Sequence, residues 1–234
     1  EVLARLSDPD PRVRSAAVAL LQTHELARHA SALAPLLRDP DEATRLLATR
    51  TLAEWGDPSC LDALAAFLTS EDDGLRREAV VTLRGFDPAL LGGVLLRHLR
   101  VETPRAAAAA LASLRPDRLP GDEALGDAVF KIAALGSGPL RARALRFLPA
   151  LAEPSRLGEV VPLLRDVNPS VRSAARDVLR RRDGRRYAPA VASAAVAVRE
   201  PTQRLEILSL LADLGVPEAA TELVPLLLDS DPRV

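Results

Sequence analysis

The sequence is poor in the residues that most often carry chemistry at protein sites. Its 234 residues include no methionine, one cysteine (Cys60), one lysine (Lys131), one tryptophan, one tyrosine and four phenylalanines. A single cysteine excludes an internal disulfide bond and a cysteine-ligated zinc cluster. No apolar run approaches the about 20 residues that a membrane-spanning helix needs, so we expect no membrane span in this chain.

An excess of charge of one sign is also lacking. Lysine and arginine together number 31 and aspartate and glutamate 32, which gives a formal net charge of -1 at pH 7. A chain without a global basic field lacks the electrostatic footprint of a nucleic-acid-binding protein, so nucleic acid is disfavoured as a partner. The hydrophobic fraction of 48% is typical of a folded globular chain and too high for a disordered one.

What the sequence does contain is an internal repeat. An arginine recurs with a period of about 31 residues, and a small or aliphatic residue follows it three positions later. In all units but one, leucine follows seven positions after the arginine, on the same face of an α-helix. The repeated arginines are Arg14, Arg45, Arg76, Arg105, Arg141, Arg172 and Arg204. A period of this length predicts one pair of helices in each unit.

Proline marks both helices of the unit. The first helix is expected to begin at a polar cap followed by proline, a pair found at Asp10-Pro11, Thr103-Pro104, Asn168-Pro169 and Asp231-Pro232. The second helix is strongly apolar, and in three units it carries a proline near its middle, at Pro35, Pro162 and Pro225. An internal proline removes one backbone hydrogen bond, so we expect a shared bend at these positions.

Two segments carry a family resemblance, Asp8-Pro9-Asp10-Pro11-Arg12-Val13-Arg14-Ser15-Ala16-Ala17 and Leu52-Ala53-Glu54-Trp55-Gly56-Asp57-Pro58. They resemble HEAT repeats, and more closely the short bilin-lyase-like subtype. The resemblance implies an all-α, right-handed α-solenoid (an α-α superhelix) of about seven two-helix repeats. We expect a single array over residues 1–234, with repeats near 8–38, 39–69, 70–100, 101–134, 135–165, 166–197 and 198–228. Partial units at both ends predict that the chain is a segment of a longer array.

The resemblance also implies a ladder of charged residues between neighbouring repeats. Its acids would be Asp10, Asp41, Asp73 and Asp231, and its bases Arg14, Arg45, Arg76, Arg141, Arg172 and Arg204. Such a ladder is structural, because it satisfies loop backbone groups and fixes the register between repeats.

The sharpest candidate for a binding site is a run of arginines where the first helix of the sixth unit ends. It contains Arg180, Arg181, Arg182, Arg185 and Arg186, followed by Tyr187. One interpretation is structural: Gly184 would cap the helix and the arginines would complement its dipole. The other is functional: Arg181, Arg182, Arg185, Arg186 and Tyr187 would bind an acidic partner, since guanidinium groups bind carboxylates through two parallel hydrogen bonds.

A second candidate is the longer loop between Arg105 and Arg141. Arg118 and Asp122 lie in this loop, and insertions in one repeat often form part of a binding rim. The alternative is a tolerated surface insertion, because lengthening a loop costs little free energy.

Other residues that could carry chemistry have simpler interpretations. His24 and His29 are five positions apart, which separates them around a helix and disfavours a shared metal ion. No histidine lies in the repeat that holds Cys60, so we interpret Cys60 as a small buried residue. Trp55 occupies a position that other repeats fill with an aliphatic residue, which indicates core packing. We expect no metal and no cofactor.

These observations predict a non-catalytic scaffold whose curved surface binds a protein or peptide, with an acidic one among the candidates. Two alternatives stay open: a bilin-lyase-like enzyme or accessory subunit, and a regulatory module fused to a catalytic or membrane domain outside this segment. The preference for arginine over lysine, with abundant alanine, leucine and proline, indicates a GC-rich bacterial genome. The expected location is the cytoplasm, and the sequence does not set the oligomeric state.

Overall fold

The computed structural model describes residues 1–24, 26–100, 103–115, 119, 123–151, 154–181, 184–217, 221 and 223–224. Every regular element in these residues is helical, and no strand occurs among them. The predicted all-α fold is therefore confirmed for these residues.

Each of the seven repeated arginines lies near the start of an α-helix, the first helix of its repeat. These helices span Pro11–Thr23, Glu42–Glu54, Asp73–Leu83, Pro104–Ser113, Gly138–Leu145, Pro169–Leu179 and Pro201–Leu214. A further single turn, Leu148–Leu151, follows the fifth of them. Pro11, Pro104 and Pro169 are the first residues of their helices, which confirms the predicted cap-and-proline starts; Asp231-Pro232 lies outside the described residues.

The second helices combine α-helical with 3-10 segments. The α-helical segments are Ala30–Leu33, Leu61–Ala66, Pro88–Leu96, Glu123–Leu135 and Ala188–Ala197. The 3-10 segments are Val2–Ser7, Ala27–His29, Ala34–Arg38, Pro58–Cys60, Phe67–Thr69, Pro154–Arg165 and Gly184–Tyr187.

The prolines inside the second helices coincide with 3-10 structure. Pro35 lies where the α-helical hydrogen bonds of Ala30–Leu33 give way to the 3-10 segment Ala34–Arg38, and Pro162 lies inside Pro154–Arg165. Proline lacks the N–H that an α-helix would use, so a change of hydrogen-bond pattern is expected there. The bend expected at these positions stays a prediction, and Pro225 lies outside the described residues.

The chain forms two compact units. The first consists of residues 1–98 and 112–115, and the second of residues 99–111 and 116–234. In the first unit, the first helices Pro11–Thr23 and Glu42–Glu54 pack on each other over a core that includes Leu21 and Leu52. Trp55 is half-buried against this core, in agreement with its interpretation as a packing residue.

In the second unit, successive helices pack in the same way. Gly138–Leu145 contacts both Glu123–Leu135 and Pro169–Leu179, and Pro154–Arg165 contacts Pro169–Leu179 and Ala188–Ala197. First helices therefore lie against first helices and second helices against second helices within this unit. The single continuous array over residues 1–234 stays a prediction.

The repeated arginines tie each first helix to the loop that precedes it. In at least five repeats the guanidinium donates to a backbone carbonyl six residues earlier in the chain. The donor and acceptor pairs are Arg14 and Asp8, Arg45 and Asp39, Arg76 and Ser70, Arg172 and Asp166, and Arg204 and Val198. These bonds satisfy loop carbonyl groups that the helices leave unpaired.

The acids that meet these arginines between repeats differ from the expected ones. Arg14 donates to both carboxylate oxygens of Asp39, at 2.7 and 2.6 Å, and Arg141 pairs with Asp166 at 2.7 Å. The side chains of Asp39 and Asp166 are only 3% and 5% exposed. Hydrogen bonds from the Arg14 guanidinium hold the pKa of Asp39 below its ordinary value. Arg172 pairs with Glu206 instead, at 3.0 Å.

The predicted ladder acids have local partners. Asp10 and Asp41 cap their helices, accepting from the backbone N–H of Arg12 at 2.9 Å and of Thr44 at 2.8 Å. Asp73 is exposed and pairs with Arg76 on its own helix. The physical reason is that the free N–H groups of a first helical turn need an acceptor, and the nearest carboxylate supplies it. Asp39, two residues before Asp41, does not cap this helix and pairs with Arg14 of the neighbouring repeat.

Cys60 is fully buried in the first unit, and its thiol donates to the carbonyl of Asp57 at 3.1 Å. Burial raises the pKa of this thiol to about 11. We therefore expect an aromatic disulfide reagent at mildly alkaline pH to label Cys60 at least about a hundredfold more slowly in the native protein than in concentrated urea. Equal rates would contradict this burial. A matched control is S59C in a C60A background, because position 59 is exposed and should label rapidly.

Candidate functional site

Three arginines of the predicted cluster form an exposed surface, which we call the arginine patch: Arg181, Arg185 and Arg186. It lies between the helices Pro169–Leu179 and Ala188–Ala197 in the second unit. Within the described residues, none of the three forms an ion pair.

Arg180 belongs to the same run but is neutralised. Its guanidinium pairs with Asp213 at 2.8 Å and with Asp177 at 3.3 Å. Of the four arginines of the run that the structure describes, one therefore joins neighbouring first helices and three face solvent.

Gly184 holds the turn of the patch in place by close packing. It was expected to cap the helix, but the helix ends at Leu179 with Arg180 as its cap in an ordinary right-handed conformation. Gly184 is buried, and a Cβ built on it would lie 1.5 Å from the carbonyl oxygen of Leu179. Only glycine allows the two backbone segments to approach this closely.

Tyr187 is anchored to the preceding repeat. Its ring lies over Gly158, where an added Cβ would come within 2.7 Å of Tyr187 Cε1. The Arg186 guanidinium lies 5.4 Å from the centre of the same ring, which is the geometry of a cation–π contact. Tyr187 is thus half-buried and positions Arg186 instead of presenting an open ring face. The remaining predicted site residues, Arg182, Arg118 and Asp122, lie outside the described residues.

A groove that the sequence did not reveal lies in the two repeats that precede the patch. It has a volume of about 560 Å³ and runs between the second helices Glu123–Leu135 and Pro154–Arg165. Its lining is largely apolar and includes Phe130, Ala134 and Leu163. We call this feature the groove.

Arg156 is fixed at the side of the groove. Its guanidinium lies 4.4 Å from the centre of the Phe130 ring, and it pairs with Asp127 and, at 3.1 Å, with Glu159. Hydrogen bonds from Asp127 and Glu159 raise the pKa of this guanidinium. Lys131 also lines the groove and is exposed. The two acids are therefore engaged by Arg156, while Lys131 faces solvent.

The groove and the patch belong to one row of equivalent contacts. Tyr187 lies one repeat period after Arg156, and Gly158 one period after Asp127. Arg156 contacts Asp127 in the preceding repeat, and Tyr187 contacts Gly158 in the same way. The row crosses three successive second helices of the second unit, from Phe130 to Arg186. We call the groove and the arginine patch together the strip.

The comparison with known families agrees with this architecture. Residues 1–84 and residues 30–115 each match the family model for HEAT repeats. Residues 1–115 therefore belong to the HEAT-repeat family. Beyond the matched residues, the helices that carry Arg141, Arg172 and Arg204 repeat the same first-helix arrangement. The bilin-lyase-like subtype stays a prediction, and no curated protein matches the chain.

Two further features of the described residues bear on function. No three histidine, cysteine, aspartate or glutamate side chains come together among them in a way that would hold a metal ion. His24 ends the helix Pro11–Thr23, and His29 accepts a hydrogen bond from Arg28. None of the described helices is long and apolar enough to cross a bilayer.

Proposed function

We propose that this HEAT-repeat protein is a non-catalytic scaffold whose arginine patch binds an acidic segment of a partner protein. HEAT repeats generally serve as protein-interaction scaffolds, which supports the first part. The observation that carries the second part is the contrast within one run of arginines: Arg180 has two acidic partners, whereas the patch has none within the described residues.

Three exposed arginines within six residues of the chain carry positive charge that attracts anions. A carboxylate can accept two parallel hydrogen bonds from a guanidinium, a geometry that lysine cannot offer. The turn that carries Arg185 and Arg186 is held by Gly184 and Tyr187, so less conformational entropy is lost when a partner binds. The patch therefore suits a segment rich in aspartate or glutamate.

The other hypotheses from the sequence have less support. Within the described residues, no single observation favours the bilin-lyase-like enzyme or the fused regulatory module over the scaffold. Both stay predictions, as do the bacterial source and the cytoplasmic location.

Reversing charge in the patch tests this proposal. We expect the double variant R185E/R186E to bind a fluorescein-labelled octaglutamate peptide at least about tenfold more weakly than the unmodified chain, because attraction becomes repulsion. Fluorescence anisotropy at low salt measures this affinity. Thermal unfolding should change little, since both side chains are exposed and the cation–π contact that Arg186 loses is worth about 0.5 to 1 kcal/mol at an exposed site.

The matched control is R38E, which reverses an exposed arginine at the end of Ala34–Arg38 in the first unit. This variant should retain the affinity of the unmodified chain. An octaglutamate peptide that binds all three proteins equally would remove the patch from the proposed function.

A further inference from the structure

We infer that the strip binds one extended acidic segment of a partner protein, with an apolar side chain in the groove and carboxylates on the arginine patch. This inference rests on the proposed function and adds a second subsite to it. The groove binds an apolar anchor residue of the partner, which a purely acidic segment lacks.

The groove has the size and lining of a binding pocket. Its volume of about 560 Å³ lies in the range of ligand pockets, about 300 to 1,000 Å³. Ala134 and Pro162 are exposed and Leu163 is half-exposed, so an incoming side chain can remove apolar surface from water. The Phe130 ring forms part of the floor, and Arg156 covers it from one side.

The charges along the strip select an acidic occupant. Asp127 and Glu159, which are 59% and 56% exposed, share the single cation Arg156, and Lys131 supplies a second cation beside them, so the lining of the groove carries no net charge. At the patch, the exposed cations Arg181, Arg185 and Arg186 have no acidic partner within the described residues. A partner with carboxylates complements this sign, and complementary charge also accelerates association.

The aromatic rings of the strip disfavour a single-stranded nucleic acid as the occupant. Binding of unpaired bases relies on open aromatic faces on which the bases stack. Phe130 is only 7% exposed and lies against Arg156, while Tyr187 lies between Gly158 and Arg186. Neither ring offers a free face to a base.

The spacing of the two subsites follows from helix packing. The groove lies about half a helix spacing before Pro154–Arg165, and Gly184–Tyr187 lies about one spacing after it. Because neighbouring helices lie about 8 to 10 Å apart, the two subsites are separated by about 12 to 15 Å. An extended segment advances about 3.3 Å per residue, which places about four residues between the apolar anchor and the first carboxylate.

Three labelled synthetic peptides test this arrangement by fluorescence anisotropy on the full chain. The anchored peptide carries one phenylalanine, a spacer of about four glycine and serine residues, and a run of glutamates. The acidic peptide has alanine in place of the phenylalanine, and the compact peptide lacks the spacer. Each is made in both sequence orders, because the strip does not set the direction of the segment.

We expect the anchored peptide, in one of its two orders, to bind about tenfold or more tightly than the acidic and compact peptides. The variant A134W should abolish this difference, because it fills the groove at an exposed helix position. The acidic peptide should bind A134W unchanged. The matched control A66W, at an exposed position of the second helix Leu61–Ala66, should preserve the difference.

The outcomes separate the two proposals. Equal affinities for the anchored and acidic peptides, or a difference that survives A134W, would overturn the groove subsite and leave the patch intact. Failure of every peptide to bind would overturn the proposed function as well. A labelled oligothymidylate of equal charge that bound the strip more tightly than the anchored peptide would show that the occupant is nucleic acid, which contradicts the inference.

Discussion

The variant G184A is expected to lower the free energy of unfolding of the second unit by about 3 kcal/mol, through forced separation of two backbone segments. The added methyl group would lie 1.5 Å from the carbonyl oxygen of Leu179, and a backbone atom cannot rotate away as a side chain can. Because Gly184 begins the turn that carries Arg185 and Arg186, we also expect G184A to weaken binding of the octaglutamate peptide. Urea denaturation followed by circular dichroism, with anisotropy for binding, measures both effects.

Gly93 supplies the matched control. It lies in the helix Pro88–Leu96, is exposed, and a Cβ built on it meets no atom within 4 Å. The variant G93A should therefore be neutral or stabilising, by up to about 1 kcal/mol, because alanine loses less conformational entropy than glycine in a helix. If G184A were as stable as G93A, this result would contradict the close approach of Gly184 to the carbonyl oxygen of Leu179.

The variant D39A is expected to lower the free energy of unfolding by about 3 kcal/mol, since it leaves the guanidinium of Arg14 without its charged partner in a mostly buried site. Asp39 also accepts from the backbone N–H of Asp41 at 2.9 Å, so its removal loosens the loop before Glu42–Glu54. The control D62A removes an exposed carboxylate that pairs with Arg97, and we expect little change. Urea denaturation at neutral pH compares the three proteins.

The same pair predicts a dependence on pH. Hydrogen bonds from Arg14 lower the pKa of Asp39 in the folded chain, so the ionised form is favoured by folding. The contribution of Asp39 to stability is therefore complete above the unfolded-state pKa of about 3.9 and is lost as pH falls through the lower folded-state value. Below about pH 4, the unmodified chain should lose stability more steeply with falling pH than D39A. Parallel pH profiles for the two proteins would contradict this linkage.

The first helices could be predicted from sequence because their signals are local. Pro11 and Pro169 begin their helices as expected, and the arginine that follows each of them lies on the predicted helix. The interpretation of Trp55 and Cys60 as packing residues also agrees with the structure, because a position that repeats fill with apolar side chains is a core position. Cap chemistry and helical periodicity depend on residues within a few positions of one another.

The partner of Arg14 could not be chosen in the same way. Asp39 and Asp41 are two residues apart and carry the same functional group, so the pattern alone does not distinguish them. The structure assigns Asp41 to the first turn of its own helix and Asp39 to the neighbouring repeat. The backbone N–H groups at the helix start bind the nearer carboxylate, which is that of Asp41. Only the three-dimensional structure shows which of the two carboxylates is nearer.

The sequence by itself determined the repeat, the helix pairs and the presence of an arginine-rich turn, since each depends on the order of nearby residues. Only the tertiary structure decided that Arg180 is neutralised, by Asp213 from the next first helix, whereas Arg181, Arg185 and Arg186 form no ion pair with the described residues. It also decided the groove, because Phe130 and Arg156, 26 residues apart in the chain, meet from the second helices of two successive repeats. A surface formed by residues distant in the chain depends on how the repeats pack, and the local periodicity of the sequence does not specify that packing.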